Sequence, residues 1–265
     1  MNLQTREFLR SDLSQALDAV EGWLHPAEAW ALLESARDAC PSVEQPLAVE
    51  IGSYKGRSAI ALASGLKARG RGAVVAIDPF EMEQNQQEVF QHNLERAGVA
   101  DLVEPIVAYS HDARPKVADR SVSVLFVDGS HEYEDVMQDV HDWLPAMVDG
   151  GVVAFNDPFW GGVARALRDT VAIQRSPLRN PRLIVNTLFF DYLPDAGWTS
   201  LDEVRRLRLR AFLRAGRFWY NRLHVRITEN DRLPVWVKKL QLRLAVLLIG
   251  PLVRRPRGDR MSLTS

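Results

Sequence analysis

The sequence predicts an α/β fold in which helices cover both faces of a largely parallel sheet. Short apolar segments of strand length alternate with segments of helical periodicity five times between about residues 46 and 158. Each strand-like segment ends on a polar or acidic residue, and most are followed by glycine or proline. This alternation is typical of parallel strands that are buried on both faces and joined by helical crossovers.

The predicted elements follow one another in a regular order along the chain. Residues 1–45 contain helical stretches such as AEAWALLESARDAC and are expected to form an N-terminal helical cap. The next domain, residues 46–195, is expected to hold the strands and crossover helices. Its strands are PLAVEIGS, GAVVAIDPF, LVEPIVAYS, SVSVLFVDGS and GGVVAFNDP, and RLIVNTLFFDYL adds one or two at an edge. Its helices are GRSAIALASGLKARG, EMEQNQQEVFQHNLERAG and EDVMQDVHDWLPAMV.

The composition indicates a globular chain with an uneven distribution of charge. The 265 residues are 46% apolar and 25% charged, which are ordinary values. A single cysteine excludes an intrachain disulfide, and the polar N-terminus lacks the apolar core of a signal peptide, so a cytoplasmic location is expected. Residues 201–265 carry a net charge of +11, whereas the rest of the chain carries −12.

Residues 196–265 are predicted to form a basic, partly apolar helical extension. Three roles stay open for it: packing on the acidic body or on a second subunit, peripheral contact with an anionic membrane, and binding of an anionic or saccharide acceptor. No apolar run in the sequence approaches the roughly 18–20 residues of a membrane span. Nucleic acid is not an expected partner, because the aromatic residues are not interleaved as stacking platforms and the sequence pI is 6.6.

The residues that end the predicted strands point to a binding site. In open parallel sheets, ligands bind beyond the carboxyl ends of the strands. Four of the five strand ends carry a carboxylate, which favours a functional rim over a purely structural set of loops. The strand-end residues are Glu50, Gly52, Ser53, Asp78, Tyr109, Ser110, Asp128, His131, Asn156 and Asp157.

The first turn, VEIGSYKGRS, indicates the kind of cofactor. It contains Gly52 and Gly56, but Tyr54 stands where a dinucleotide motif has its second glycine, which weighs against NAD or FAD. Asp78 ends the next strand, where an acid can accept hydrogen bonds from both ribose hydroxyls of an adenosine. An adenosine without a pyrophosphate suggests S-adenosylmethionine.

Three stretches together resemble the class I S-adenosylmethionine-dependent methyltransferases: VEIGSYKGRSAIALA, VVAIDPF and VLFVDGSHEYEDVMQDVHDWLPAMVDGGVVAFNDP. They resemble most the branch with E-I-G-x-x-x-G-x-S and D-G-x-H-x-Y motifs. The resemblance covers about residues 47–157 and implies a Rossmann-like, seven-stranded, mostly parallel sheet. It implies cofactor contacts for Glu50 at the methionine amino group, for Gly52, Ser53, Tyr54, Gly56 and Ser58 around the amino acid moiety, for Asp78 at the ribose, for Tyr109 and Ser110 near the adenine, and for Asp128.

Within that branch, the chain is similar to the metal-dependent sugar O-methyltransferases of macrolide biosynthesis. That similarity implies Mg²⁺ at Asp128, Asn156 and Asp157, a general base at His131, and a sugar or other secondary-metabolite hydroxyl as acceptor. Asn156 is a departure, since those enzymes have a carboxylate there. An amide oxygen can bind Mg²⁺ but contributes no charge, so weaker metal binding is expected.

Alternative interpretations stay open for His131 and for the whole chain. A histidine near its neutral form can accept the proton of a hydroxyl, but His131 could instead cap the helix that follows it. The chain could be a metal-independent small-molecule N- or O-methyltransferase, or a non-catalytic nucleotide-binding module. A nicotinamide-dependent sugar oxidoreductase is disfavoured by Tyr54.

Overall fold

Seven strands form one sheet in the order β3-β2-β1-β4-β5-β7-β6. The computed structural model describes residues 3–117 and 121–219. Neighbouring strands among the first five are parallel, whereas β7 is antiparallel to β5 and to β6. This confirms the predicted mostly parallel sheet. The strands are β1 (Leu47–Ile51), β2 (Ala73–Asp78), β3 (Val103–Val107), β4 (Val122–Val127), β5 (Met147–Asn156), β6 (Leu178–Ile184) and β7 (Thr187–Tyr192).

Helices cover both faces of the sheet and separate its core into two layers. Alternate side chains of each strand point to opposite faces, so Ala48 lies in one layer and Val49 in the other. Helices α1 to α4 pack in the first layer and α5 to α8 in the second. They are α1 (Leu3–Asp18), α2 (Pro26–Asp38), α3 (Arg57–Arg69), α4 (Gln86–Arg96), α5 (Ser110–Ala113), α6 (Tyr133–Trp143), α7 (Gly161–Thr170) and α8 (Ser200–Trp219).

Four helices differ from the sequence prediction. The short α5 was not predicted, and α6 ends at Trp143 instead of near residue 148, because a 3-10 helix over Leu144–Ala146 leads directly into β5. Helix α4 begins at Gln86 instead of near residue 81, because Asn85 adopts a left-handed backbone conformation and the Gln86 side chain accepts a hydrogen bond from the Met82 backbone. Helix α7 was not predicted, since its first two residues are glycines. It forms because Val163 and Leu167, four positions apart, are buried on one face.

RLIVNTLFFDYL was predicted to add one or two strands at an edge; it contributes to two, β6 and β7, which form a hairpin. β7 inserts between β5 and β6, so that Thr187 lies opposite Asn156, the last residue of β5. The turn of the hairpin therefore reaches the carboxyl end of β5, where a candidate site was predicted.

The N-terminal helices predicted for residues 1–45 correspond to α1 and α2. The predicted C-terminal extension begins with α8, which packs on the main domain through Leu209, Phe212 and Leu213. The remainder of that extension, residues 220–265, lies outside the described residues, and its expected oligomeric, membrane or acceptor contacts stay predictions. No helix within the described part of the chain is both long and apolar enough to cross a membrane.

Replacing Phe212 tests the packing of α8. Phe212 is fully buried and its ring lies 5.1 Å from that of Phe159. We expect Phe212→Ala to lower the free energy of unfolding by about 3–5 kcal/mol, because it leaves a cavity between α8 and the domain. Leu207→Ala, on the exposed side of the same helix, should change it by less than about 0.5 kcal/mol. Denaturant titrations give both values, and equal effects would contradict the packing of α8.

Candidate functional site

The ends of β1 and β4 approach each other closely at Gly52. Gly52 has a φ of 86°, and a Cβ atom added there would lie 2.2 Å from the backbone oxygen of Asp128. The backbone amide of Asp128 donates to the oxygen of Ile51 over 2.8 Å. A side chain is therefore excluded at Gly52, and the last residues of the two strands are held side by side.

Glu50 presents a buried carboxylate beneath the first turn. It is fully buried, and neither carboxylate oxygen accepts a hydrogen bond from a residue that the structure describes. Burial raises its pKa to about 7. The nearby hydroxyls of Ser58 and Ser53 oppose this rise, and the charge of Asp78 adds to it. An unpaired buried carboxylate is costly, so this position favours a cationic ligand group.

Asp78 holds the first turn in place. Its Oδ2 accepts hydrogen bonds from the backbone amides of Ser53 (2.9 Å) and Tyr54 (2.8 Å). Its Oδ1 accepts from the Phe80 amide (2.6 Å) and from Gln86 Nε2 (3.3 Å). The sequence predicted an acid that accepts hydrogen bonds from ribose hydroxyls. The structure shows a buried acid that is already bonded to the protein, while its contact with a ribose stays a prediction.

Residues of two loops contact the side chains of Tyr54 and Lys55 in the first turn. Lys55 Nζ lies 2.7 Å from Glu21 Oε2 and 2.8 Å from Glu83 Oε2, and the Tyr54 hydroxyl also donates to Glu83. Trp23 packs against the Tyr54 ring with 5.0 Å between the ring centroids. Sequence reasoning missed these partners, because each lies far along the chain from the turn.

The remaining predicted cofactor residues differ in exposure. Gly56 has a φ of 93° and precedes α3, where a Cβ atom would lie 3.1 Å from the Phe90 ring. Tyr109 is exposed, and its hydroxyl donates to Glu81 over 2.9 Å. Ser110 instead points inward, and its hydroxyl donates to Asp139. Burial raises the pKa of Asp139 to about 6.

Three predicted residues converge beyond the ends of β4 and β5. One ligand atom from each of Asp128, His131 and Asp157 lies within 4.8 Å of the others. His131 Nε2 is 3.0 Å from Asp157 Oδ2. Burial raises the pKa of Asp128 well above its ordinary value, and the charge of Asp157 is the next largest cause. The charges of Glu50 and Glu28 raise this pKa further. The cluster therefore places two carboxylates beside one imidazole.

His131 does not cap helix α6. The cap residue is Glu132, which makes no side-chain capping bond, and Ser130 Oγ accepts the Glu132 backbone amide over 3.1 Å. The imidazole instead stacks on the indole of Trp160, with 4.8 Å between the ring centroids and 22° between the planes. Sequence reasoning missed Trp160, although an aromatic residue three positions after Asp157 was a usable signal.

Residues of α2 and of the hairpin turn form a hydrogen-bonded network behind Asn156 and Asp157. Asn156 Oδ1 lies 2.9 Å from Thr187 Oγ1. Asn186 Nδ2 donates to Asp157 Oδ1, and Glu28, which is 2% exposed, lies 2.8 Å from Thr187 Oγ1. No local pattern in the sequence joins Glu28 to the hairpin turn.

Comparison with known proteins shows which family the sheet domain resembles. Residues 49–158 match the family model described as a methyltransferase domain. Residues 49–158 are therefore similar to a methyltransferase domain. A stretch of 84 residues is also 37% identical to the catechol O-methyltransferase of Mycobacterium tuberculosis. That match covers 32% of this chain and 36% of the length of that relative.

Solved structures share the fold of the methyltransferase domain. The O-methyltransferase NovP has a TM-score of 0.58 and 15% identity, with 72% of this chain and 98% of that chain covered. TomG of Streptomyces achromogenes, an O-methyltransferase solved in complex with SAM, has a TM-score of 0.52 and 21% identity, with 70% and 89% covered. These likenesses establish the Rossmann-like fold that the sequence implied.

The residues of the methyltransferase domain fit S-adenosylmethionine. The unpaired carboxylate of Glu50 suits its ammonium group. A divalent cation also fits, because Asp128 and Asp157 offer carboxylate oxygens that no described basic residue other than His131 neutralises.

The pH dependence of stability tests the buried state of Glu50. Its pKa of about 7 in the folded chain lies above the ordinary 4.5, so the folded form holds the proton more tightly. The stability contributed by this group is therefore full below about pH 4.5 and lost as the pH rises through about 7.

We expect Glu50→Gln to remove roughly 3 kcal/mol of the decline in unfolding free energy between about pH 4 and pH 8. Denaturant titrations of the ligand-free protein across this range measure it. Glu88→Gln, an exposed acid on α4, is the matched control. A parallel decline in parent and Glu50→Gln would show that Glu50 is not a buried titrating group.

Proposed function

We propose that this chain is an S-adenosylmethionine-dependent O-methyltransferase that methylates a hydroxyl of a sugar or other secondary metabolite with the help of a divalent cation such as Mg²⁺. The observation that carries the proposal is the convergence of Asp128, His131 and Asp157 on the sheet edge that also holds Glu50. The arrangement brings candidate cation ligands and a candidate base to the edge where the cofactor would bind.

The chemistry explains why these groups are needed together. S-adenosylmethionine supplies a methyl group on a sulfonium, which an acceptor oxygen displaces in line when both are held in position. A hydroxyl is a weak nucleophile until its proton is removed. A divalent cation in contact with the hydroxyl lowers its pKa.

The residues of this chain would remove and hold that proton. His131 Nε2 is the atom that faces the cluster, and in its neutral form it can accept the hydroxyl proton. Asp157, 3.0 Å away, would stabilise the imidazolium that forms. Trp160 holds the ring from its other face by stacking. Asp128 and Asp157 would supply the negative charge for the cation, and Asn156 a neutral amide oxygen.

The choice of acceptor rests on the D-G-x-H-x-Y similarity to sugar O-methyltransferases. The curated relative from Mycobacterium tuberculosis is a catechol O-methyltransferase, so catechols are the second acceptor class to test. Transfer of a labelled methyl group to a panel of sugars and catechols distinguishes the two. Absence of transfer to any hydroxyl acceptor, with S-adenosylmethionine bound, would contradict O-methylation.

His131→Ala tests the general base. We expect turnover to fall by about 10²–10⁴-fold, as for the loss of a base, while the affinities for S-adenosylmethionine and for the cation stay close to those of the parent. Trp160→Leu is the control, because it removes the stacked ring and keeps the imidazole. Loss of cation affinity in His131→Ala would make His131 a ligand, and full turnover would remove it from the mechanism.

Removal of the cation tests the second part of the proposal. Chelation should abolish most of the turnover, and added Mg²⁺ should restore it. Asp128→Asn should weaken cation binding, because it removes one of two carboxylate charges. Asp101→Asn, an exposed acid before β3 at the opposite edge of the sheet, should not. Full turnover in the presence of chelator would exclude the cation from the mechanism and leave His131 as the general base.

A further inference from the structure

Helix α8 carries apolar side chains on the side that faces away from the domain. The side that packs on the domain contains the buried Phe212. On the opposite side, Leu201, Val204 and Leu207 follow one another at intervals of three positions, and they are 56%, 42% and 53% exposed. Ala211, four positions after Leu207, is also exposed. Because residues three or four positions apart share one side of a helix, these four residues form a continuous apolar surface, the outer face of α8.

The arginines of α8 differ in their partners. Three of them are bonded to other described residues through their guanidinium groups, namely Arg205, Arg206 and Arg210. Arg208 and Arg214 are exposed, and neither forms a hydrogen bond or an ion pair with a residue within 3–117 or 121–219. Arg208 lies four positions after Val204, and Arg214 three positions after Ala211, so both charges border the outer face.

The two acids of α8 are paired with other arginines. Asp202 Oδ2 lies 3.3 Å from Arg179 Nη1, and Glu203 Oε1 lies 2.5 Å from Arg206 Nη2. The acids of the helix therefore leave the positive charges beside the outer face uncompensated. Residues 220–265, which follow α8 in the sequence, contain ten Lys and Arg and only three Asp and Glu. The chain that continues from α8 thus adds positive charge.

An anionic lipid surface fits the outer face better than a second copy of the chain does. A two-fold symmetric dimer through this face would bring Arg208 and Arg214 of both copies into one interface, where like charges repel. A lipid surface takes up the aliphatic side chains at the boundary between headgroups and acyl chains, and its anionic headgroups neutralise the arginines. A short apolar face with two arginines gives reversible, peripheral binding.

We propose that α8 is a membrane-binding helix whose outer face, bordered by Arg208 and Arg214, lies on an anionic lipid surface. This inference is independent of the methyltransferase chemistry. The end of α8 lies near the candidate site, because Gly216 packs so closely on the Phe159 ring that a Cβ atom there would overlap it. Phe159 follows Asp157 by two positions. Lipid binding by α8 would therefore bring the candidate site close to the membrane surface.

Sedimentation of the full chain with lipid vesicles tests the apolar part of the proposal. The parent should bind vesicles that contain phosphatidylglycerol but not vesicles of phosphatidylcholine alone, and binding should fall steeply as salt screens the charges. The double variant Val204→Gln/Leu207→Gln should weaken binding by about 10-fold, because it removes the aliphatic contact. Val89→Gln, which changes an exposed aliphatic residue of α4, is the matched control and should bind as the parent does.

Replacement of the two arginines tests the electrostatic part. Arg208→Gln/Arg214→Gln should weaken binding to the anionic vesicles by about 30-fold, which corresponds to about 1 kcal/mol for each basic residue. Arg96→Gln/Lys116→Gln makes the same change in net charge at exposed positions elsewhere, and it should have little effect. Absence of binding by the parent, or parent-like binding by either double variant of α8, would overturn the proposal.

Measurements without lipid identify any other occupant of the outer face. A second copy, or residues 220–265 of the same chain, would bury this face. Val204→Gln/Leu207→Gln would then lower the molecular mass in solution or the free energy of unfolding, and either result would overturn the assignment to lipid. Analytical ultracentrifugation and denaturant titrations measure the two quantities. Unchanged mass and stability, together with the loss of vesicle binding, are expected for a helix that binds a membrane surface.

Discussion

The close approach of β1 and β4 at Gly52 determines where the candidate site residues lie. Because only a glycine fits against the Asp128 backbone, the ends of both strands lie side by side and their acids share one space. The Asp78 carboxylate then accepts hydrogen bonds from the two amides that follow Gly52, so hydrogen bonds join the first turn to the end of β2.

The acids that gather at this edge of the sheet destabilise the folded chain, because their negative charges are buried close together. Glu28, Glu50 and Asp128 all have pKa values raised by burial, so each ionised form is disfavoured in the folded chain without a ligand. A cationic ligand reverses the sign of the local electrostatics. The same groups that destabilise the unliganded fold therefore give binding energy to a positively charged cofactor or ion, which is a common division between stability and function.

Much of the fold was predictable because its signals are local. Strand β1, which contains Glu50, follows from its apolar pattern, and helix α3 follows from its periodicity and from the left-handed glycine, Gly70, that caps it. The Asp128–His131 motif placed two members of the cluster. The contacts of Glu28 with Thr187, across 159 positions, and the insertion of β7 between β5 and β6 depend on tertiary packing that no window of sequence contains. Asp78 was located correctly, but its four hydrogen bonds could not be counted from sequence.

The bond from Glu28 to the hairpin turn has a consequence for the modularity of the chain. An N-terminal helical segment that covers a site can be exchanged freely when it only excludes solvent. Here the segment delivers an acid that two residues of a distant hairpin use as their hydrogen-bond partner. A chimaera that imports a foreign N-terminal segment must therefore import a matching β6–β7 turn as well. The two segments, separated by more than half the chain, constitute one unit of recombination.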